Sequence, residues 1–387
     1  MTLPVATPTP ALRTGFTTGT CATACTRAAL LAWLTNTPLA AVDIVLPDGE
    51  SVVLPLESCT IAPGCATCTV RKDAGDDPDE THQAIIGARV TWRPQPGVVF
   101  KRGEGVGLVS LPGLPVEVGE PAINPVPRQM MATVVMETLA DFGRTGGAEI
   151  EVFVLGGEAI AARTLNPRLG VVGGISIIGT TGRVRPFSSE AYIASIGSAI
   201  AVAAATGCPR VVLNSGGRSE AMLRRQFPEL PPQAFVQYGN WIGDAFTLLR
   251  GTPFSGVTLG MMLGKAVKLA AGQLDTHSRR GLWDRTFVAD LARECDYAAA
   301  IVEGIGGLSL ARQLGEVIPF SADEPLYRAL AARCHAVCQP LIPTIPLEIR
   351  LHNDGAGWLV HDTAGPTHAL ESEANRTGPQ RSQALDH

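Results

Sequence analysis

Apolar positions along the chain fall into two rhythms. In Val42-Asp43-Ile44-Val45-Leu46 and Ser51-Val52-Val53-Leu54 they approach every second residue, with Pro47-Asp48-Gly49 between, which predicts a hairpin. Further strands are expected at 66–71, 88–93 and 106–110. One helix is expected early, over Ala22 to Leu34, rich in Ala and Leu, after the loop Thr14-Gly-Phe-Thr-Thr-Gly-Thr-Cys21. Such a loop opening into a helix leaves free N–H donors at the helix N-terminus. Strands outnumber helices up to about residue 125, so residues 13–147 are expected to form a mixed α+β domain.

From Glu149 the second rhythm begins. Strands at Glu149 to Leu155, Arg210 to Asn214, Ala234 to Tyr238 and Val257 to Leu259 each run into a glycine-containing turn. Helical stretches follow or intervene, to about Ala205, from Trp241 to Leu249 and over 266–271. Strand, glycine turn and helix in alternation predict a mostly parallel sheet flanked by helices over residues 148–370. Ligands of such sheets sit at the carboxyl ends of the strands, where these turns lie. Glu348 to Leu351 and Gly357 to Val360, joined across Asn353-Asp354-Gly355, predict a terminal hairpin. The fold class is therefore α/β with two domains. The Pro/Thr-rich residues 1–12 and the polar residues 371–387 are expected to be disordered tails.

Composition narrows the function. The 387 residues hold 31 basic and 36 acidic side chains, a net charge of −5, which argues against nucleic acid as a partner or a polybasic membrane anchor. The uncharged stretch Ala191 to Gly207 is too short and too polar for a membrane span. Nine cysteines without a signal peptide suit a cytoplasmic protein with reduced thiols. Cys65-Ala-Thr-Cys68 has no second CxxC behind it, so no protein-bound metal is expected. Only Lys72, Lys101, Lys265 and Lys268 are lysines, which draws attention to their surroundings.

Three clusters carry candidate chemistry. Lys72-Asp-Ala-Gly-Asp-Asp-Pro-Asp79 gathers a lysine and four acids into eight residues; it reads either as an Asp-rich turn or as a polar clamp. Gly173-Gly-Ile-Ser-Ile-Ile-Gly-Thr-Thr-Gly182 and Asn214-Ser-Gly-Gly-Arg-Ser-Glu220 offer glycines that permit close backbone approach and hydroxyls that donate. Neither matches a dinucleotide fingerprint or a phosphate-binding P-loop. Lys265 and Lys268 share a helix face ahead of Asp275-Thr-His-Ser278, suggesting an anion site, a solvated face being the plainer alternative. Residue chemistry alone thus reaches a two-domain α/β protein that binds a polar, anionic small molecule.

Taken in order, seven stretches resemble one family. They are Arg13 to Ala22, Lys72 to Asp79, Pro121-Ala-Ile-Asn-Pro-Val-Pro-Arg128, Asn166-Pro167, Gly173 to Gly182, Gly216 to Glu220, and Gly264-Lys265 through Ser278. They resemble the cobalt-precorrin-5B C(1)-methyltransferases, the CbiD family of anaerobic cobalamin biosynthesis. The resemblance implies methyl transfer from S-adenosylmethionine to carbon 1 of a tetrapyrrole whose cobalt belongs to the substrate. On this basis the methyl donor is expected at Gly173, Gly174, Gly179, Thr180, Thr181, Gly182, Gly216, Gly217 and Glu220. Thr17, Thr18, Lys72, Asp73, Asp79, Asn124, Arg128, Lys265 and Lys268 are expected to face the tetrapyrrole, with Arg168 and Arg185 as further grips for its carboxylates. Asp76, Asp77 and His277 are the expected catalytic residues. A homo-oligomer is compatible with all of this. An ATP-dependent small-molecule kinase and a non-enzymatic tetrapyrrole carrier are the alternatives, separated by nucleotide preference and by nucleoside binding.

Overall fold

In the computed structural model the described residues are 12–277, 283–353 and 357–362, with the backbone of 368–370. The expected tails, apart from Leu12, and Ser278 lie outside them. Two compact units divide the chain between Glu190 and Ala191.

The first unit begins with β1 (Gly15–Phe16), after which Thr17 caps α1 (Thr18–Thr35) by accepting the Thr20 N–H at 3.2 Å. Every α1 residue from Thr18 to Thr26 is buried. Their small size lets the helix lie close to the sheet, and Thr23 and Thr26 satisfy their hydroxyls on the Gly19 and Ala22 carbonyls at 2.9 and 2.8 Å. β2 (Ala41–Val45) and β3 (Ser51–Pro55) form the expected hairpin, pairing Val42 with Leu54 and Ile44 with Val52, all four buried. β4 (Ser58–Ala62), β5 (Cys65–Arg71), β6 (Ile85–Arg93), β7 (Gly97–Arg102) and the short β8 (Leu108–Val109) follow. Then come α2 (Pro125–Asp141), β9 (Gly147–Val154), α3 (Gly157–Ala161), β10 (Val171–Val172), which pairs with β8, and β11 (Arg183–Val184).

The main sheet of this unit runs β4-β5-β6-β9-β7, antiparallel except for the parallel β7–β9 pair. β9 is therefore a central strand here, not the opening strand of the second domain. Ala148, Ile150, Val152 and Val154 are fully buried in the same apolar cluster as Ile86 and Val90 of β6. The boundary expected at 147/148 accordingly differs from the observed division, and residues 148–190 belong with the first unit.

The second unit contains most of α4 (Ser189–Ala205), then β12 (Arg210–Asn214), α5 (Gly217–Gln226), β13 (Phe235–Gln237), α6 (Ile242–Leu248), β14 (Gly256–Met262) and α7 (Leu263–Ala270). α8 (Arg285–Glu294), α9 (Ala299–Gly306), α10 (Leu314–Val317) and α11 (Pro325–Cys338) precede β15 (Leu347–His352), β16 (Trp358–Asp362) and β17 (His368–Leu370). The sheet order is β13-β12-β14-β15-β16-β17. Its first four strands are mutually parallel, and the expected hairpin β15–β16 is antiparallel. The first strand, β12, thus has the second on one side and the third on the other. That reversal of winding falls between β12 and β14, and the carboxyl ends of the strands at such a point are where doubly wound sheets take ligands.

Candidate functional site

The conspicuous loops of the first unit are fastened to one another. The Phe16 N–H donates to the Asp73 carbonyl at 2.7 Å, and the Thr17 N–H to the Gly182 carbonyl at 3.1 Å. Arg13 and Asp76 exchange two bonds: the Arg13 N–H donates to Asp76 Oδ2 at 2.6 Å, and the Asp76 N–H to the Arg13 carbonyl at 2.9 Å. The Arg13 guanidinium also pairs with Asp73, whose carboxyl it holds below the usual range. The Thr18 hydroxyl accepts the Ile178 N–H at 2.9 Å and donates to the Ile178 carbonyl at 3.1 Å. The Asn124 N–H joins the same layer, donating to the Ile177 carbonyl at 2.9 Å. Segments 13–20, 72–79, 124 and 173–182 form one clasp.

This fastening changes the roles expected of several residues. Thr17 and Thr18 are buried, and their hydroxyls are committed to the α1 cap and to Ile178, so they hold the clasp and not a tetrapyrrole. Gly174, Gly179 and Gly182 make room for the chain itself. A Cβ at 174 would lie 2.2 Å from the Gly105 carbonyl oxygen, at 179 2.2 Å from Thr17 Oγ1, and at 182 2.9 Å from Leu46 Cδ2. Gly173 likewise backs onto Arg102, which donates to its carbonyl at 3.1 Å. Thr181 bonds locally to Arg183, and Thr180 is exposed. Arg128 donates to the Ile123 and Pro121 carbonyls and pairs with Glu120 at 3.2 Å. Asn124 caps α2 without a side-chain capping bond.

Lys72 is 1% exposed and donates to Asp79 Oδ2 at 2.6 Å, an internal anchor out of reach of a substrate. Burial alone would raise the Asp79 carboxyl. The Lys72 charge and bond, with donors from the Thr81 N–H at 2.7 Å and hydroxyl at 2.6 Å, outweigh it and hold the carboxyl below its ordinary value. Asp77 Oδ1 accepts the Phe187 N–H at 2.9 Å. Of the two readings of the Lys72 to Asp79 segment the structure shows the Asp-rich turn, built on an internal ion pair.

In the second unit, the loops after β12, β13 and β14 lie at the carboxyl ends of the strands that meet at the reversal point. Asn214, fully buried at the end of β12, accepts the Gly216 N–H at 3.2 Å and donates to the Val236 carbonyl at 3.2 Å. Ser219 Oγ accepts the Ser215 N–H at 3.1 Å. The turn is thereby fixed, yet a Cβ at Gly216 or Gly217 would meet nothing within 4 Å. Gly217 opens α5, whose first-turn N–H groups suit an anionic group. Glu220, expected at the methyl donor, is instead buried, with Arg224 on one carboxylate oxygen at 2.8 Å and Gln237 on the other at 2.9 Å.

Lys265 also proves to be a clamp. Its Nζ donates to the Gly239 carbonyl at 2.8 Å, to Asn240 Oδ1 at 2.5 Å and to Thr276 Oγ1 at 3.2 Å, tying the loop after β13 to residue 276. Burial, with a smaller push from Lys268, lowers its ammonium to about 8. Lys268 is buried and reaches the Thr276 carbonyl at 3.4 Å. The His277 N–H donates to Asp275 Oδ1 at 3.0 Å. The expected catalytic residues therefore divide, Asp76 and Asp77 in the first unit and His277 in the second. Cys65 and Cys68 do not act as a pair: Cys68 Sγ faces Cys59 Sγ across the β4–β5 ladder at 2.9 Å. Among the described residues no three His, Cys, Asp or Glu side chains gather to hold a metal ion, and no helix is long and apolar enough to cross a membrane. Sequence reasoning missed Phe187, whose positive φ of 57° no local signal announces.

Comparison with known proteins gives this two-unit α/β frame a family. Residues 5–186 match the CbiD profile, and residues 275–362 match that of the CbiD C-terminal domain. The first match ends within a few residues of the division between the units. The chain belongs to the CbiD family. A relative from Prosthecochloris aestuarii (strain DSM 271 / SK 413), named cobalt-precorrin-5B C(1)-methyltransferase, is 45% identical over 92% of this chain and 97% of its own length. One of the same name from Geobacillus kaustophilus (strain HTA426) is 44% identical over 85% of this chain and 87% of its own length. The crystal structure of the cobalamin biosynthesis protein CbiD from Archaeoglobus fulgidus is 27% identical, covering 73% of this chain and 84% of its own, with a TM-score of 0.38.

Proposed function

We propose that this chain transfers a methyl group from S-adenosylmethionine to carbon 1 of cobalt-precorrin-5B, giving cobalt-precorrin-6A and S-adenosylhomocysteine, a step of cobalamin biosynthesis carried out in the cytoplasm. The observation that carries this reading is the 45% identity to a relative of that name along 92% of the chain. None of the relatives cited above is named a kinase or a carrier.

The residues at the reversal point fit the methyl donor. Gly216 and Gly217 leave open space above a helix N-terminus, so the first-turn N–H groups of α5 would hold the donor's carboxylate. When bound, S-adenosylmethionine supplies a methyl group on a positively charged sulfur, displaced in line by the substrate carbon. No protein nucleophile is needed for such a displacement; the chain aligns the partners and excludes water. Asn214 and Ser219 preorganise the Ser215–Gly217 turn, and Lys265 fixes the facing Gly239–Asn240 turn.

Calorimetric titration with S-adenosylhomocysteine tests the placement. The wild-type protein is expected to bind it and to give no heat with ATP·Mg²⁺. Gly217→Leu is expected to weaken binding roughly 10-fold, about 1.4 kcal/mol, by filling the open space. Unchanged affinity in that variant would remove the donor from α5, and binding of ATP alone would replace methyl transfer with kinase chemistry.

A further inference from the structure

Phe187 is held in a conformation that the fold itself does not reward. Its φ of 57° is in the left-handed region, where a bulky side chain is strained and glycine is not. The residue is 69% exposed, so the strain gains no core burial in return. The backbone is nevertheless fastened: Asp77 Oδ1 accepts the Phe187 N–H at 2.9 Å. Asp77 belongs to a segment itself pinned by the Lys72–Asp79 pair and by the two Arg13–Asp76 bonds. A costly backbone conformation that the surroundings over-determine is a mark of function.

The neighbouring residues indicate what the ring meets. The Ser188 N–H donates to the Arg185 carbonyl at 3.3 Å, so residues 185–188 form a turn carrying an exposed guanidinium and an exposed aromatic ring two residues apart. Ile178, in the same clasp, is also half exposed. A flat unsaturated ring system edged with carboxylates complements that pairing: the aromatic face stacks on the macrocycle and the arginine grips its rim. Resting on the methyltransferase reading above, we propose that Phe187 is a stacking residue for the tetrapyrrole. Asp77 is the positioning residue that holds it out to the ligand, and its carboxylate serves the backbone instead of moving a proton.

Titration with cobyrinic acid, a cobalt corrinoid with free peripheral carboxylates, followed by its visible absorption, tests this. Phe187→Ala is expected to raise Kd roughly 10-fold and Phe187→Trp to keep it within about 3-fold. Phe187→Gly should bind as weakly as Phe187→Ala while melting no lower than wild type, because it relieves the strained φ. That combination separates a lost ligand contact from a damaged fold. Asp77→Asn retains an oxygen to accept the Phe187 N–H and should bind nearly as wild type, whereas Asp77→Ala should follow Phe187→Ala. Val53→Ala, which trims an equally exposed apolar residue on the β2–β3 hairpin, should change nothing. If Phe187→Ala binds as wild type while the wild type methylates its substrate, the stacking role fails and the function stands. If Asp77→Asn is as weak as Asp77→Ala, the positioning role fails. A wild-type protein that neither binds the corrinoid nor methylates overturns both the function and this inference.

Discussion

Gly179 in the first unit and Gly217 in the second both sit in loops rich in glycine and small hydroxyl residues, yet their surroundings differ completely. A Cβ at 179 would lie 2.2 Å from Thr17 Oγ1; a Cβ at 217 would meet nothing within 4 Å. In the first loop the missing side chain lets the chain approach itself, and in the second it leaves room for something else. Hydroxyls divide in the same way: Thr17, Thr18 and Thr20 spend theirs inside the clasp, Thr20 on the Gly182 carbonyl at 2.6 Å. A glycine-rich loop is thus either a joint or a cradle, and what occupies the space of the absent Cβ decides which.

The comparison breaks if the clasp tolerates side chains. Gly75 is its most demanding position, with φ at 69° and a would-be Cβ 2.1 Å from the Arg13 carbonyl oxygen. Backbone cannot yield as a flexible side chain would, so Gly75→Ala should cost upwards of about 4 kcal/mol, strain and clash together. Urea unfolding would register this as a large fall in midpoint of the transition that includes the first unit. A loss under about 1 kcal/mol would mean the loop is free to move, and the clasp would no longer be a joint.

The ion pair beneath the clasp comes next in size. Lys72→Met leaves Asp79 without its cation in a mostly buried position and should cost about 3 kcal/mol. The acid limb sharpens this. The folded Asp79 carboxyl lies below its ordinary 3.8, so its contribution is fully present above that value and is lost as pH falls through the lower, folded value. Wild-type stability should therefore drop on acidification below about pH 4, and in Lys72→Met that part of the drop should shrink. Unfolding curves at pH 7, 4 and 3 for both proteins would show it; parallel acid limbs would mean that the pair contributes nothing.

Much of the fold is legible in the sequence because its signals are local. The β2–β3 hairpin announces itself by period-two alternation around Pro47-Asp48-Gly49, and the second unit by repeated strand, glycine turn and helix. β9 misleads because its own pattern is equally good for either sheet: only its long-range partners β6 and β7 assign it. β4 and β7 escape because they are edge strands with few fully buried residues to mark them. The site residues divide by the same rule. Gly217 at a helix start is readable, whereas the burial of Lys72 and Glu220 depends on partners, and the strained φ of Phe187 depends on Asp77, 110 residues away. Sequence motifs identify which segments matter; whether each faces a ligand or another segment is a tertiary fact.

The smallest expected effect is the most discriminating counterpart to Gly75. Gly217 is the first residue of α5, outside the left-handed region, with open space where its Cβ would stand. Alanine there neither clashes nor strains, and its better helix propensity offsets any loss of solvation, so Gly217→Ala should shift stability by less than about 0.5 kcal/mol in either direction. The same methyl group that ruins the joint at residue 75 should pass unnoticed by the fold at residue 217. It would be felt only as a modest weakening of S-adenosylhomocysteine binding, smaller than that caused by leucine. Paired urea curves and titrations on the two alanine variants test the contrast directly. A destabilisation above about 1 kcal/mol at 217 would show that the second loop, too, is packed against its own chain, and the distinction between joint and cradle would fall with it.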